Sequence, residues 1–321
     1  MKKTAVCLLA GLLAGFTFNA AAADAPDMKF GLQIQIDITT FARAGEQGQI
    51  PAERFAPTAL DAKNWAHAAR EAGVTFAVLS AKLDSGFCLW DSKDSDYDIG
   101  HSAYKGDIIG DFIAGCNAEG ILPGLQYSIA DIHEGMARTN KESVPATYFA
   151  LIKKHLTDLH TRYPGIRIQM LNFSAKLSPD QLGEIRDLIK RLNPGCVFPG
   201  EGGVPPFDSN PIFNGWIWKP QARVYPVQTL FDHYNSAQQT KQSYLLNVGP
   251  DTTGRIPNDQ IAVLMQLKGM IAAHSSAPPP AGNQGQPSAA DRLKQLKALH
   301  DQGLINQDEY DRKSKEIIDS L

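Results

Sequence analysis

The stretch VLSAKLDSGFCLWDSK, residues 78–93, opens like a buried strand and closes as a loop of mixed charge and aromatic surface. Val78 to Ala81 are apolar; a lysine, an aspartate, Gly86 and the run Phe87-Cys88-Leu89-Trp90 follow. Loops of this make-up at a strand end tend to face a ligand. The same strand-then-loop pattern recurs along the chain. Strand-like runs are expected at 29–36, 73–81, 121–128, 166–173, 196–200, 213–218 and 243–249, with helices over 58–72, 104–119, 144–162, 179–192, 226–237 and 258–273. Ser178 before Pro179 supplies a cap residue and a first-turn proline, and Leu60, Trp65, Ala68, Ala69 and Ala72 recur near a 3.6-residue period. Strands alternating with helices predict parallel βα units, and about 250 residues of them suit a (β/α)8 TIM-like barrel. A doubly wound open sheet fits the same alternation, since no glycine-rich phosphate loop decides between them.

The flanks differ in composition. Of 321 residues 43% are hydrophobic and the net charge is −3, a balance that implies no basic surface for nucleic acid. The N-terminus carries two lysines, an apolar centre and then NAAAAD, the pattern of a signal peptide over 1–23 cleaved after Ala23. The chain is therefore expected to be exported to a bacterial periplasm, with an uncleaved anchor as the alternative. Beyond that leader no stretch is long enough to span a membrane. Cys88, Cys116 and Cys196 remain, an odd set read as buried thiols; no zinc-type spacing occurs, so neither metal nor cofactor is expected. A barrel over 24–274 is followed by a Pro/Gly/Ser linker over 275–288. Residues 289–321 then form a helical hairpin turning at Gly303, with Leu293, Leu296, Leu299, Leu304 and Ile305 on one stripe and Tyr310, Ile317 and Ile318 on the other. So small a unit needs another surface, a second copy or an envelope protein, and the prolines predict that it stands clear of the barrel. Arg292 to Tyr310 resembles the short C-terminal (SHOCT) domain, which implies oligomerisation or tethering and no chemistry.

Four stretches of the main domain resemble glycoside hydrolase family 29, the retaining α-L-fucosidases. KFGLQIQ is similar to K-F-G-[IL]-F-I-H-W, and GVTFAVLSAKLDSGFCLWDSK to G-x-x-Y-x-V-L-T-x-K-H-H-D-G-F-x-L-[WF]-D-S-K. CNAEGILPGLQYSIADIH and FDHYNSAQQTKQSYLLNVGPDTTGRIP match the family's third-strand and closing segments. The resemblance covers about residues 28–270 and implies a barrel with its sugar site at the C-terminal strand ends.

The framework matches better than the chemistry. Gln35 and Ile36 stand where the family has histidine and tryptophan; Leu83 and Asp84 replace its paired histidines, and Ser85 its aspartate. Ile132 replaces the tryptophan after the third strand, while Tyr127 is retained. Placing Ile166 on the fourth-strand pattern I-x-x-[LI]-W-F-D-G puts Asn172 at the nucleophile, with Phe173 at the glycine. A retaining glycosidase needs two carboxyl groups about 5–5.5 Å apart, and asparagine cannot simply replace one. Glu201, in a glycine-rich loop, is the candidate acid/base. Gln35, Asp84, Tyr127, Trp216 and Trp218 are the candidate substrate-binding residues, the two tryptophans sharing a face if 213–218 is a strand. Asp37 and Asp131 are read as solvated or turn-capping carboxylates, and Lys82 and Lys219 as solvated lysines. Three readings remain: an α-L-fucosidase-like hydrolase with a degenerate site and weak or no activity, a pseudoenzyme binding a glycan or protein in the barrel mouth, and an assembly scaffold working through the hairpin.

Overall fold

The computed structural model describes residues 28–46, 48–138, 143–276, 289–301 and 305–319. The expected leader, linker positions 277–288 and the turn at Gly303 and Leu304 lie outside the described residues. Six strands, β1 (Phe30–Ile34), β2 (Phe76–Lys82), β3 (Leu122–Ser128), β4 (Ile168–Asn172), β5 (Phe207–Pro211) and β6 (Ser243–Val248), pair in the order β4-β3-β2-β1-β6-β5. Every pairing is parallel. The connections carry α1 (Ala62–Glu71), α2 (Ile108–Glu119), α3 (Ala146–Arg162), α4 (Pro179–Leu192) and α5 (Val227–Gln239). After β6 come α6 (Asn258–Ser276), α7 (Ala289–Asp301) and α8 (Gln307–Asp319).

Helix starts follow local chemistry. Asp61 accepts from the amides of Lys63 and Asn64 at the head of α1, and Ser178 and Gln181 form a capping box around Pro179 at α4. Strand alternation then divides the core. Leu32, Ile34, Leu79, Leu125 and Leu246 face the helices, whereas Phe76, Val78, Ile168 and Leu245 pack inside the half-barrel. The Phe76 ring fills the space over Gly31, where any side chain would collide with it.

The expected closed eight-stranded barrel is not what the described residues form. The run 196–200 contributes one parallel bridge, Ile168 to Val197, and 213–218 is no strand, Phe213 bridging instead to Gly215 and Val224. The fifth strand is Phe207–Pro211, whose FDSNP sequence has the residues of a turn. It survives as an edge strand because it needs one partner only, and Pro211 at its end removes no ladder bond that the edge requires. The hairpin also departs from expectation: α8 faces β5 across a cleft rather than standing clear of it.

Along β2 the register against β3 shifts between Ser80 and Lys82. That irregularity turns Lys82 from the interior to the helix-facing side, beside Tyr127. Lys82, read as solvated, is fully buried, its Nζ 2.7 Å from Asp131 Oδ2, and Asp131 is equally enclosed. Behind them Tyr127 hydroxyl meets His155 Nδ1 at 3.0 Å.

Burial lowers the imidazoles of His155 and His160 to about 4, the latter opposed by its hydrogen bond with Gln169. A folded pKa below the ordinary 6.5 means that the unfolded chain takes these protons first as pH falls. The stability that both neutral rings contribute is present above about pH 6.5 and lost towards 4. Urea midpoints should therefore drop between pH 7 and pH 4, and His160→Gln should lose less across that window. Identical slopes for the two proteins would show His160 to be ionised or exposed in the fold.

Candidate functional site

A cavity of about 390 Å³ opens at the C-terminal strand ends. Its floor is made of amides. Gln33 and Gln35 on β1 and its extension both donate to Gln126 Oε1 on β3, the latter at 3.2 Å, and Ser80 Oγ donates to the same oxygen at 2.6 Å. Gln33 Oε1 is left buried without a hydrogen-bond partner, as is Asn247 Oδ1 on the register neighbour in β6. Met170 and Asn172 complete the β4 side.

The rim carries the charges. Asp37, expected to be a turn-capping or solvated carboxylate, is buried and lines the cavity, and it does cap a short 3-10 helix (Ile38–Phe41). Its Oδ2 accepts from the Thr39 amide at 3.2 Å and Thr39 Oγ1 at 2.8 Å, and its Oδ1 from Ser85 Oγ at 2.7 Å. Burial pushes the Asp37 carboxyl above the usual range, these hydrogen bonds pull it back, and the charge on Asp84 raises it further. Asp84 is held by Arg138, which donates from Nε and from Nη2, the latter at 2.9 Å. The Arg138 guanidinium also lies 5.1 Å from the Phe173 ring centre. His133 stacks on Tyr97 at 4.7 Å, and Tyr97 hydroxyl donates to the Ile50 carbonyl at 2.8 Å, tying the loop after the 3-10 helix to the rim.

Asn172 ends β4 inside the cavity, and its Oδ1 accepts from the Phe173 amide at 3.0 Å. Phe173 itself is left-handed, with φ 56 and ψ 30. A side chain there costs of order 1 kcal/mol, which glycine avoids. Phe173 thus holds the backbone conformation that glycine favours, directly after Asn172.

The structure brings together Gln35, Asp84, Asn172 and Trp216. It does not bring in the others. Tyr127 is fully buried on the helix side, because β3 alternation gives the interior to Gln126. Glu201 lines a separate cavity at the seam between β4 and β5, where Arg186 pairs with it. Trp218 packs half-buried on the core beside Gly249 while Trp216 stays 42% exposed, so the two tryptophans part company once 213–218 is a turn. Lys219 donates to the Thr39 carbonyl and is not solvated bait for an acid. Arg138, His133, Gln33 and Gln126 were not among the expected site residues. The glutamines had a signal: Gln33 and Gln35, two apart in an apolar strand, must share one face. Among the described residues no cluster of His, Cys, Asp or Glu could hold a metal ion, and the three cysteines are free and buried.

A parallel sheet with a cavity at its C-terminal edge defines the class; comparison with known proteins defines the relatives. Residues 38–190 match the alpha-L-fucosidase family model, and residues 291–317 match the short C-terminal domain model. Alpha-L-fucosidase 1 of Arabidopsis thaliana is 26% identical over 269 residues, 67% of this chain and 52% of its own length. The alpha-L-fucosidase of Dictyostelium discoideum is 23% identical over 264 residues, 70% of this chain and 57% of its own. The chain spans about half the length of the curated relatives it matches. The unliganded alpha-L-fucosidase AlfC from Lactobacillus casei shares the fold, with a TM-score of 0.67 at 21% identity over 78% of this chain and 98% of that one. The chain therefore carries an alpha-L-fucosidase (glycoside hydrolase family 29) domain followed by a SHOCT domain.

The rim loop turns on Gly86, which has φ 90 and no room for a Cβ against the carboxylate of Asp131. That carboxylate cannot swing away, because Lys82 holds it in a buried pair. Gly86→Ala should cost about 1–3 kcal/mol in urea unfolding, from the left-handed backbone and the collision together. An unchanged midpoint would show that the loop carrying Asp84 and Ser85 is not built this way.

Proposed function

We propose that this chain is an exported carbohydrate-binding member of the fucosidase fold whose retaining hydrolysis is weak or lost. One observation carries the reading: Asn172 occupies the cavity where the covalent mechanism requires a carboxylate. The two carboxylates on the rim do not take its place readily. Three donors engage Asp37, and Arg138 holds Asp84. What supports sugar binding is the amide floor, where Gln33 lines the cavity with its Oε1 unpartnered, and Trp216 at the rim. Hydroxyl donors of a polyol satisfy buried acceptors of this kind, and an aromatic face covers its C–H groups. AlfC structures hold α-L-fucose and 4-nitrophenyl-α-L-fucopyranoside, which makes fucose the first sugar to try. The six-stranded half-barrel is, in the same reading, a (β/α)8 barrel with two strands not formed, Val204 and Phe207 packing into its interior cluster. Export and association through residues 289–321 complete it, the latter supported by Ile318, 54% exposed on α8. Osmotic-shock fractionation checks the first and light scattering the second; retention in the cytoplasm or a monomer would remove that part.

Purified protein should release nitrophenolate from 4-nitrophenyl-α-L-fucopyranoside with kcat below about 10⁻² s⁻¹, against ~10 s⁻¹ for a median enzyme. Calorimetry with L-fucose should still show saturable binding. Turnover at the median rate would sink the loss of hydrolysis, and no heat with fucose would sink sugar binding in this cavity. Asn172→Asp should not restore turnover. The new carboxylate would stand over uncharged amides, with Arg138 already committed to Asp84 and the family's histidines absent at Gln35 and Leu83. A large gain from that single change would show the rest of the catalytic machinery to be intact.

A further inference from the structure

The strand-end cavity has a neighbour. A cleft of about 700 Å³ lies between β5 with its following loop and the first turns of α8. Asn210, Trp216 and Tyr225 line the sheet side, and Glu309, Arg312 and Lys313 the helix side. The three helix residues are spaced i, i+3 and i+4 and so occupy one face, the face turned to the sheet. A helix docking merely to bury itself would present apolar residues there. This one presents two cations and a carboxylate across a hollow, with Ile305 just before the helix as the hairpin's one apolar lining residue, while on α8 Ile317 is buried and Ile318 exposed.

Two residues join the cleft to the strand-end cavity. Ser209 and Trp216 line both. The Ser209 hydroxyl is enclosed without a hydrogen-bond partner, an unmet demand at the junction. Trp216 is anchored from below, Asn247 Nδ2 donating to its carbonyl at 2.9 Å, so its exposed ring is presented by β6 rather than by a free loop. On the helix side Arg312 is steadied by Glu316 at 3.3 Å. Aromatic faces combined with planar amide and guanidinium groups suit a sugar ring, which offers C–H faces and equatorial hydroxyls in alternation. The volume lies within the ~300–1,000 Å³ common for small-molecule sites.

We propose that α8 of the C-terminal hairpin forms the outer wall of a second saccharide subsite. A ligand of two or more sugar units places one unit in the strand-end cavity and the next between Trp216 and Tyr225 on one side and Arg312 and Lys313 on the other. The hairpin then contributes to ligand recognition as well as to any association. This inference rests on sugar binding in the strand-end cavity.

The test is calorimetry on the full chain with L-fucose and with the disaccharide Fuca(1,6)GlcNAc. The disaccharide should bind about tenfold more tightly than fucose, and Arg312→Ala with Lys313→Ala should remove that advantage while leaving fucose affinity unchanged. Asn210→Ala, on the opposite wall, should act in the same direction, which guards against an effect confined to a disturbed helix. If fucose binds and the disaccharide has no advantage, or the α8 variant keeps it, the second subsite falls and the first stands. If neither sugar binds the unaltered chain, both fall together.

Discussion

The rim of the strand-end cavity depends on one buried ion pair. Lys82 closes β2 and Asp131 opens the loop after β3, and their contact at 2.7 Å is screened from water on every side. Tyr148 hydroxyl stands 3.4 Å from the ammonium and 3.3 Å from the carboxylate, and the Tyr127 ring lies 4.8 Å beneath the charge. Such a pair adds little net stability over apolar side chains, since both ions were desolvated to make it. Losing one partner is another matter, costing about 3–5 kcal/mol for the stranded charge. Its effect is therefore positional. It fastens two loops to each other at their roots, and the backbone bond from Ile132 amide to Asp84 carbonyl at 2.8 Å extends the seam outward. Asp84 and Arg138 meet across that seam, an exposed pair that could not order two free loops by itself.

The same pair explains where reading the sequence succeeded and where it failed. Five of the six strands and the helices were legible, because apolar period and cap residues such as Ser178 and Pro179 are local signals. Strict alternation, however, assigns Lys82 to the face of Ser80. The register shift between them reverses that assignment, and nothing in Ser80-Ala81-Lys82 announces it. Asp131 gave no sign of its partner either, 49 positions away. A lysine and an aspartate that are each ordinarily solvated become a buried unit only when the sheet sets their loops side by side.

The site was legible to a different depth on each strand. Asn172 and Gln35 could be placed because one ends a strand and the other directly follows one, where position fixes direction. Tyr127 was misjudged by motif when alternation on its own strand already gave the interior to Gln126. Arg138 and His133 carried no signal: they sit on a loop without periodicity, and their roles are set by the partners Asp84 and Tyr97. The amide floor shows why these differences come as a set. Gln33, Gln35 and Ser80 converge on Gln126 Oε1 without net charge, leaving Gln33 Oε1 unmet, and a carboxylate beneath them would demand a cation that none of the four can supply.

Trp216 shows the complementary constraint, that of a segment released from the sheet. As part of a strand, 213–218 would have pointed Trp216 and Trp218 the same way. As a turn it lets Trp218 pack against the core and Trp216 stand outward, with Asn247 gripping the carbonyl between. The turn is possible because β5 ends early at Pro211 and the chain folds back from Phe213 to Val224 instead of continuing. An edge strand of polar, turn-type residues is a weak wall for a barrel but a good border for a cleft. Its side chains are free to line a surface, and the ring that follows it is held by β6 from within. The side on which the half-barrel is left incomplete is thus the side on which α8 and the sheet come to share a boundary.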